Sequence, residues 1–228
     1  MPAEDWRYIG AALLGVAGVG VWIAGFRLRK KLRTVGDPNC PQAVYIEALD
    51  STKTGTGAWT YAPYVIQASA HWGISPDLLM GLIHTESRFN PQAGSSAGAV
   101  GLSQHMPKTA AGRYQKLVEQ GQWPFDPLST NNDPQAAGVL RDKGVEGFVD
   151  RTDPFQSIWM GASSLRSKFD RGWDVEHALA SYNAGEGRVK RDMPSDEWPK
   201  ETQNYVPGVL RRAKIYRELW ENECKRAA

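Results

Sequence analysis

Ser75-Pro-Asp-Leu-Leu-Met-Gly-Leu-Ile-His-Thr-Glu-Ser-Arg-Phe-Asn-Pro91 is the stretch on which the fold turns. Ser75 suits the capping position of a helix, Pro76 its first position, and Asp77 the positive end of its dipole. The reading is a helix over Pro76–Arg88. At helical spacing Leu79, Leu82, Ile83 and Glu86 share one stripe, the face a helix buries. Glu86 is thereby carried into apolar surroundings, where ionisation is penalised and a carboxyl pKa rises. A carboxylic acid still protonated near neutral pH can serve as a general acid. On the residues alone, a Glu at a frayed helix end facing water is the other reading.

Outward from this stretch the chain reads helical. Pro63–Trp72 is a helix stopped by Gly73, and Pro154–Lys168 and Val175–Asn183 are two more. Pro207–Lys225 follows, with Val209, Leu210, Ala213, Tyr216 and Trp220 as its apolar stripe. No strand alternation or internal repeat stands out. The fold class is therefore mainly α, with a substrate groove expected between two groups of helices. Ala111–Asp150 contains Trp123-Pro-Phe-Asp-Pro-Leu-Ser-Thr-Asn-Asn-Asp-Pro, rich in turn formers, and reads as either a flap or a surface insertion.

Ile9–Phe26 reads IGAALLGVAGVGVWIAGF, an uncharged apolar run just long enough to span a bilayer as one transmembrane helix. A secretory signal would put positive charge first and a small-x-small cleavage site after a shorter core. Here Glu4 and Asp5 precede the run and Arg27-Leu-Arg-Lys-Lys-Leu-Arg33 follows it, so the run reads as a retained membrane anchor. Residues 1–8 form a tail, 9–26 the span, 27–59 a basic flank and linker, 60–222 a globular domain and 223–228 a second tail. Ala43–Asp50 reads as a short helix within the linker.

The net charge is +2, and Arg27–Arg33 holds five cations, so the remainder is slightly acidic. That balance argues against nucleic acid as a partner and leaves the basic cluster as an anchor flank for anionic headgroups. Cys40 and Cys224 are the only cysteines and make no disulfide framework. There is no His-Glu-x-x-His pattern and no nucleotide fingerprint, so no metal site and no cofactor are expected.

Three segments in order carry a family resemblance: Glu86-Ser87 with Asn90-Pro91, Gly98-Ala-Val-Gly-Leu-Ser-Gln104, and Ser181-Tyr-Asn-Ala-Gly185. Asp153-Pro154 with Ser157-Ile158 and Gly161-Ala162, and Glu201-Thr-Gln-Asn-Tyr-Val206, add two weaker matches. Together they resemble the lytic transglycosylase domain of the soluble-lytic-transglycosylase type, within the wider lysozyme superfamily, over about residues 60–220. The resemblance implies a lysozyme-like helical domain that cuts the β-1,4 bond between N-acetylmuramic acid and N-acetylglucosamine in peptidoglycan. It implies a single catalytic Glu86, acid first and then base, and a 1,6-anhydro product. It further implies substrate-binding roles. Ser95 would lie near Glu86, Gly98 and Gly101 would let the backbone approach sugar, and Gln104 would offer donor and acceptor to it. Tyr182 would orient Glu86, Asn183 would hold the motif loop or the substrate, and Glu201 would be a remote sugar contact.

Glycoside hydrolysis ordinarily uses two carboxylates. Asp77 lies at the far end of the Glu86 helix, roughly 13 Å away by helix rise. Glu186 sits between Gly185 and Gly187, in what reads as an exposed turn. Neither is an obvious second acid. Two residues depart from the family pattern. Ser103 stands where Met is usual, with loss of a hydrophobic contact. His105 stands where an apolar residue is usual; it reads most simply as solvent-facing, or else as lining the cleft.

The basic flank lies on the domain side, and the positive-inside rule then puts the domain in the cytoplasm, away from peptidoglycan. Three readings reconcile this: an exception to the rule, retention until lysis, or delivery by a phage particle or secretion machine. The expected partners are accordingly peptidoglycan glycan strands, a membrane through residues 9–26, and virion or secretion-complex proteins. The expected place of action is the periplasmic cell wall. A lysozyme-like hydrolase and a non-catalytic wall-binding virion or envelope protein are the alternatives.

Overall fold

The computed structural model describes residues 57–125, 133–144 and 149–227. They form seven α-helices and a short 3₁₀ turn at Ser195–Glu197: α1 Ala58–Trp72, α2 Pro76–Ser87, α3 Pro107–Glu119, α4 Pro134–Asp142, α5 Pro154–Phe169, α6 Val175–Ala184 and α7 Lys200–Ala227. Among the described residues β-structure is limited to isolated bridges joining Gly94 to Val100 and Val100 to His105. The mainly helical expectation holds among the described residues. Among the described residues no helix is long and apolar enough to cross a membrane. The predicted span at 9–26, the linker helix at 43–50 and Cys40 lie outside the described residues, as does the side chain of Cys224.

The described helices fall into two compact units. One holds α3 and α4, in the stretch that the sequence reads as turn-rich. In α3 the residues Ala110, Ala111, Tyr114 and Leu117 are buried at helical spacing. Asp133 caps α4 by accepting from the backbone N–H groups of Gln135 and Ala136, at 3.0 and 3.2 Å, with Pro134 at the first position. The turn formers therefore mark the connection between two helices.

The other unit holds α1, α2, α5, α6 and α7. Two of its helices begin before the proline that the sequence takes as their start. In α1, Ala58 and Ala62 are fully buried ahead of an exposed Pro63, so the helix starts at Ala58 rather than at Pro63. In α7, Thr202, Val206, Val209, Ala213, Tyr216 and Trp220 make one buried stripe that runs through Pro207 without a break. In both cases a continuous buried face outweighs the single N–H that proline removes. Gly73 ends α1 as expected, in the left-handed region at φ 61°.

Helix α2 runs through the core of this unit, with every residue from Pro76 to Ile83 buried. The Ser75 hydroxyl makes no capping bond. Asp77 does more than complement the dipole: it is buried and accepts from Arg217 of α7, at 2.8 Å from Nε and 2.6 Å from Nη2. Midway along α2, a side chain on Gly81 would put its Cβ 2.7 Å from both the Val209 carbonyl and the Ala213 amide. The α2 and α7 backbones thus touch at Gly81, a separation no larger residue permits.

Candidate active site

Glu86 occupies the last turn of α2, and Tyr205 lies one turn before Val209 on α7. Contact at Gly81 and pairing of Asp77 with Arg217 fix the two helices antiparallel. That register delivers the Tyr205 hydroxyl to Glu86 Oε1, to which it donates a hydrogen bond. Burial pushes the Glu86 carboxyl from 4.5 up to about 7. The Tyr205 bond pulls against this rise, and the negative charge of Glu201 adds to it. Tyr205 itself is held well above 10 by burial and by Glu86, so it remains a donor across the neutral range.

The chain leaves α2 under strain. Arg88 and Phe89 both adopt left-handed conformations, at φ 52° and 62°. Phe89 is 3 % exposed and packs edge-on against Tyr216, 6.2 Å between centroids, so burial offsets the strain. Beyond it, the loop from Ala93 to His105 carries the second motif. Arg151 is 1 % exposed and clamps both ends of this motif, donating from Nη1 to the carbonyls of Gly98 at 2.9 Å and His105 at 3.0 Å. Gly101 lies against the same residue: an added Cβ would fall 1.8 Å from the Arg151 carbonyl oxygen, and φ is 87°. Internal packing, not approach to sugar, accounts for that glycine. Gly98 also has positive φ but faces open space.

Gln104 sits at φ 48°, and its Nε2 donates to the carbonyls of Ala93 and Gly101, each at 2.9 Å. Two carbonyl neighbours oblige the amide nitrogen to face them, so the outward end is Oε1. Oε1 has no partner among the described residues. Gln104 therefore offers an acceptor, where the sequence reading expected donor and acceptor alike.

The hydroxyl on Glu86 belongs to Tyr205; that of Tyr182 donates to the Ser103 carbonyl at 2.8 Å. Tyr182 still belongs to the cluster, because its negative form would disfavour ionisation of Tyr205. Asn183 Oδ1 accepts from Thr202 Oγ1 at 2.7 Å, tying α6 to α7 beside the exposed Glu201. The Ser95 hydroxyl accepts from the Ala99 N–H at 3.0 Å within its own turn, an exposed contact and not one to Glu86. Glu86 is thus within electrostatic reach of Tyr205 and Glu201, and Tyr205 of Tyr182; Asn183 is bonded to Thr202 next to Glu201, and Gly98 and Gln104 belong to the Arg151-clamped loop. Tyr205 is the residue that motif reading passed over, although it lies inside the quoted segment Glu201–Val206.

Both departures from the family pattern turn inward. Ser103 is fully buried and His105 is 4 % exposed, so His105 does not face solvent. In place of the hydrophobic contact that a Met would make, Ser103 has hydrogen bonds to Ser157 and His105. Glu186, the possible second acid, is bonded to Arg171, at 2.6 and 2.7 Å, and to Lys168 at 3.0 Å. These cations hold its carboxyl down to about 2, so at neutral pH it has no proton to give. Among the described residues no group of three or more His, Cys, Asp or Glu side chains could hold a metal ion.

Comparison with known proteins matches the chain to a family. The transglycosylase SLT domain profile matches residues 63–205. The chain is 28 % identical over 160 residues to a transglycosylase of Enterobacteria phage PRD1, covering 70 % of this chain and 45 % of that protein. It is 30 % identical over 207 residues to the membrane-bound lytic murein transglycosylase C of Glaesserella parasuis serovar 5 (strain SH0165), covering 86 % of this chain and 57 % of that protein. The chain spans about half the length of these curated relatives. In fold it is similar to an inactive mutant of the lytic transglycosylase Slt of Pseudomonas aeruginosa, with a TM-score of 0.50, 21 % identity, and coverage of 94 % of this chain and 34 % of that one. With its acid on α2, the phenol on α7 and a family profile spanning both, the chain belongs to the transglycosylase SLT domain family.

Proposed function

We propose that the chain is a peptidoglycan lytic transglycosylase with Glu86 as its acid and then its base. The observation that carries this reading is the half-buried Glu86 carboxyl, raised to about 7 and bonded to Tyr205. Near neutrality such a group holds its proton in a substantial fraction of molecules, yet is basic enough to take one back. Glu86 protonates the glycosidic oxygen as the bond from muramic C1 breaks. The muramic C6 hydroxyl then bonds to C1 and returns its proton to the Glu86 carboxylate. Water is not consumed, and the product carries a 1,6-anhydro end.

In this reading Tyr205 steadies the carboxylate and Gln104 Oε1 accepts from a sugar hydroxyl or amide. Tyr182 and Asn183 brace the wall of the site, Gly98 and Ser95 shape the loop beside it, and Glu201 tunes Glu86. A lysozyme-like hydrolase would need a second carboxylate to activate water, and the charge-locked Glu186 is poorly suited to that work. We further propose action at the cell wall from a membrane tether at residues 9–26, in an envelope or virion setting. The support is the apolar run and the names of the relatives, one membrane-bound and one from a phage.

The test is mass spectrometry of peptidoglycan digested by the whole chain, with Glu86→Gln as control. The expected result is anhydro-muropeptides that vanish in the variant. Reducing-end products would replace the reading with hydrolysis. Absence of product from folded wild-type chain would replace it with wall binding.

A further inference from the structure

Gly81 stands in the middle of α2, where no left-handed backbone calls for glycine and where alanine would favour the helix more. What excludes alanine is α7. A Cβ on Gly81 would lie 2.7 Å from the Val209 carbonyl oxygen and from the Ala213 amide nitrogen, and 3.0 Å from the Ala213 Cβ. The first two are backbone atoms of a helix, which cannot swing aside as the end of a side chain can. Other helical glycines differ: Gly112 and Gly138 have open space there, and the nearest neighbours of Gly161 and Gly208 are side chains. Ordinary contact begins at 3.4 Å, so a methyl group on Gly81 would part the two backbones by about 0.7 Å.

We propose that Gly81 is a positioning residue of the acid site: the touch of backbones that it permits sets the reach of the Tyr205 hydroxyl to Glu86. Its bearing on turnover rests on the reading of Glu86 as the acid. Three contacts follow one another along the antiparallel pair: Asp77 with Arg217, Gly81 with Val209 and Ala213, and Glu86 with Tyr205. The first is held on a buried carboxylate, since the Asp77 side chain is only 4 % exposed. A wedge at Gly81 therefore tilts α7 about its Arg217 end. By helix rise the Gly81 contact lies about 9 Å from Arg217 and Tyr205 about 18 Å, so a parting of about 0.7 Å at the contact becomes about 1.4 Å at Tyr205. An O–H···O bond spans about 2.7 Å and is lost when stretched that far. The groups that bear on the Glu86 charge, Tyr205 and Glu201, both belong to α7 and move with it.

The test is a double-mutant cycle in the whole chain, made of Gly81→Ala, Tyr205→Phe and the two together. Ala213→Val drives the same wedge from the opposite helix and takes the place of Gly81→Ala if that variant does not fold. The readout is the titration of the Glu86 carboxyl followed by ¹³C NMR. With Gly81 in place, Tyr205→Phe is expected to raise the Glu86 midpoint, because the lost bond no longer favours the carboxylate. With the wedge in place the bond is already gone, and the same change is expected to move the midpoint about a third as much or less. A change in burial is common to both members of each pair and cancels. In turnover, Gly81→Ala is expected to lower kcat for anhydro-muropeptide release about tenfold or more, with KM within about threefold of wild type. Adding Tyr205→Phe is expected to cost about twofold more at most. Leu165→Ala, a cavity in the α5 core, controls for lost stability and is expected to leave the effect of Tyr205→Phe at its full size. Equal midpoint shifts with and without the wedge would overturn the proposal, as would a Leu165→Ala chain that reproduces the lost coupling. Should the wild-type chain release no product, the functional reading fails, while the titration cycle still decides whether Gly81 sets the Tyr205 bond.

Discussion

Tyr205 donates its phenolic hydrogen to the carboxylate of Glu86, across 119 residues of chain. The bond favours the ionised acid and so opposes the effect of burial. Tyr205→Phe removes that opposition, and the Glu86 pKa rises above its present value of about 7. Because bond cleavage in the proposed reaction needs the protonated acid, the alkaline limb of the pH–rate profile is expected to move to higher pH. The carboxylate also loses the group that orients it as a base, and kcat is expected to fall about tenfold or more. A profile of kcat against pH checks both; an alkaline limb that moves down would contradict the assigned direction.

Glu201 acts in the opposite sense. Its negative charge raises the Glu86 pKa, so Glu201→Gln is expected to lower the alkaline limb. Glu201 is exposed, and solvent and salt screen it, so the move is expected to be about half a pH unit or less and to shrink in high salt. Comparing profiles at low and high ionic strength isolates this effect from any lost sugar contact, which would appear in KM instead.

The same acid makes stability depend on pH. The folded-state pKa of Glu86 is raised from 4.5 to about 7, so the native chain keeps a proton that the unfolded chain releases. Native stability from this group is intact below 4.5 and is lost as pH rises through 7. At pH 8 the loss approaches about 3 kcal/mol. Glu86→Gln has no proton to lose and is expected to be more stable than wild type at pH 8, by up to that amount, with the difference closing toward pH 4. Denaturant unfolding of both chains across that range measures it.

Glu186 runs the other way. Its carboxyl sits near 2, so the stability it contributes is present above the unfolded value of 4.5 and is lost as pH falls toward 2. The side chain is 44 % exposed, which limits its contribution at pH 7 to about 1 kcal/mol. Glu186→Gln is expected to lower stability by that much and to leave turnover within about threefold of wild type. A collapse of turnover would restore Glu186 as a candidate second carboxylate.

What the sequence made legible was the part governed by local rules. Pro76, the Leu79–Leu82–Ile83 stripe and Gly73 suffice to place α2 and the end of α1, and they put Glu86 on a helix whose burial raises its pKa. Pro63 and Pro207 misled because a long buried stripe overrides one missing N–H. Tyr205 was passed over because its importance is a tertiary fact: nothing in Glu201–Val206 says which of its side chains meets Glu86. A single sequence reads His105 as surface because a buried imidazole needs partners, and those partners, Ser103 and Ser164, come from a loop and a helix 59 residues on. Which end of the Gln104 amide faces outward is likewise tertiary, since only its two carbonyl neighbours reveal it.

The order in which the parts of the acid site occur along the chain has a consequence for synthesis. Glu86 is made early, while Tyr205, the Gly81 contact at Val209 and Ala213, and Arg217 all arrive on α7, after every other described helix. A ribosome that has translated the acid has not yet supplied the helix that encloses it. Until α7 is made, Glu86 lacks both the Tyr205 phenol that is bonded to it and the Glu201 charge that raises its pKa. The nascent polypeptide thus carries the carboxyl before the helix that orients it, and the acid site is completed only by the last described helix.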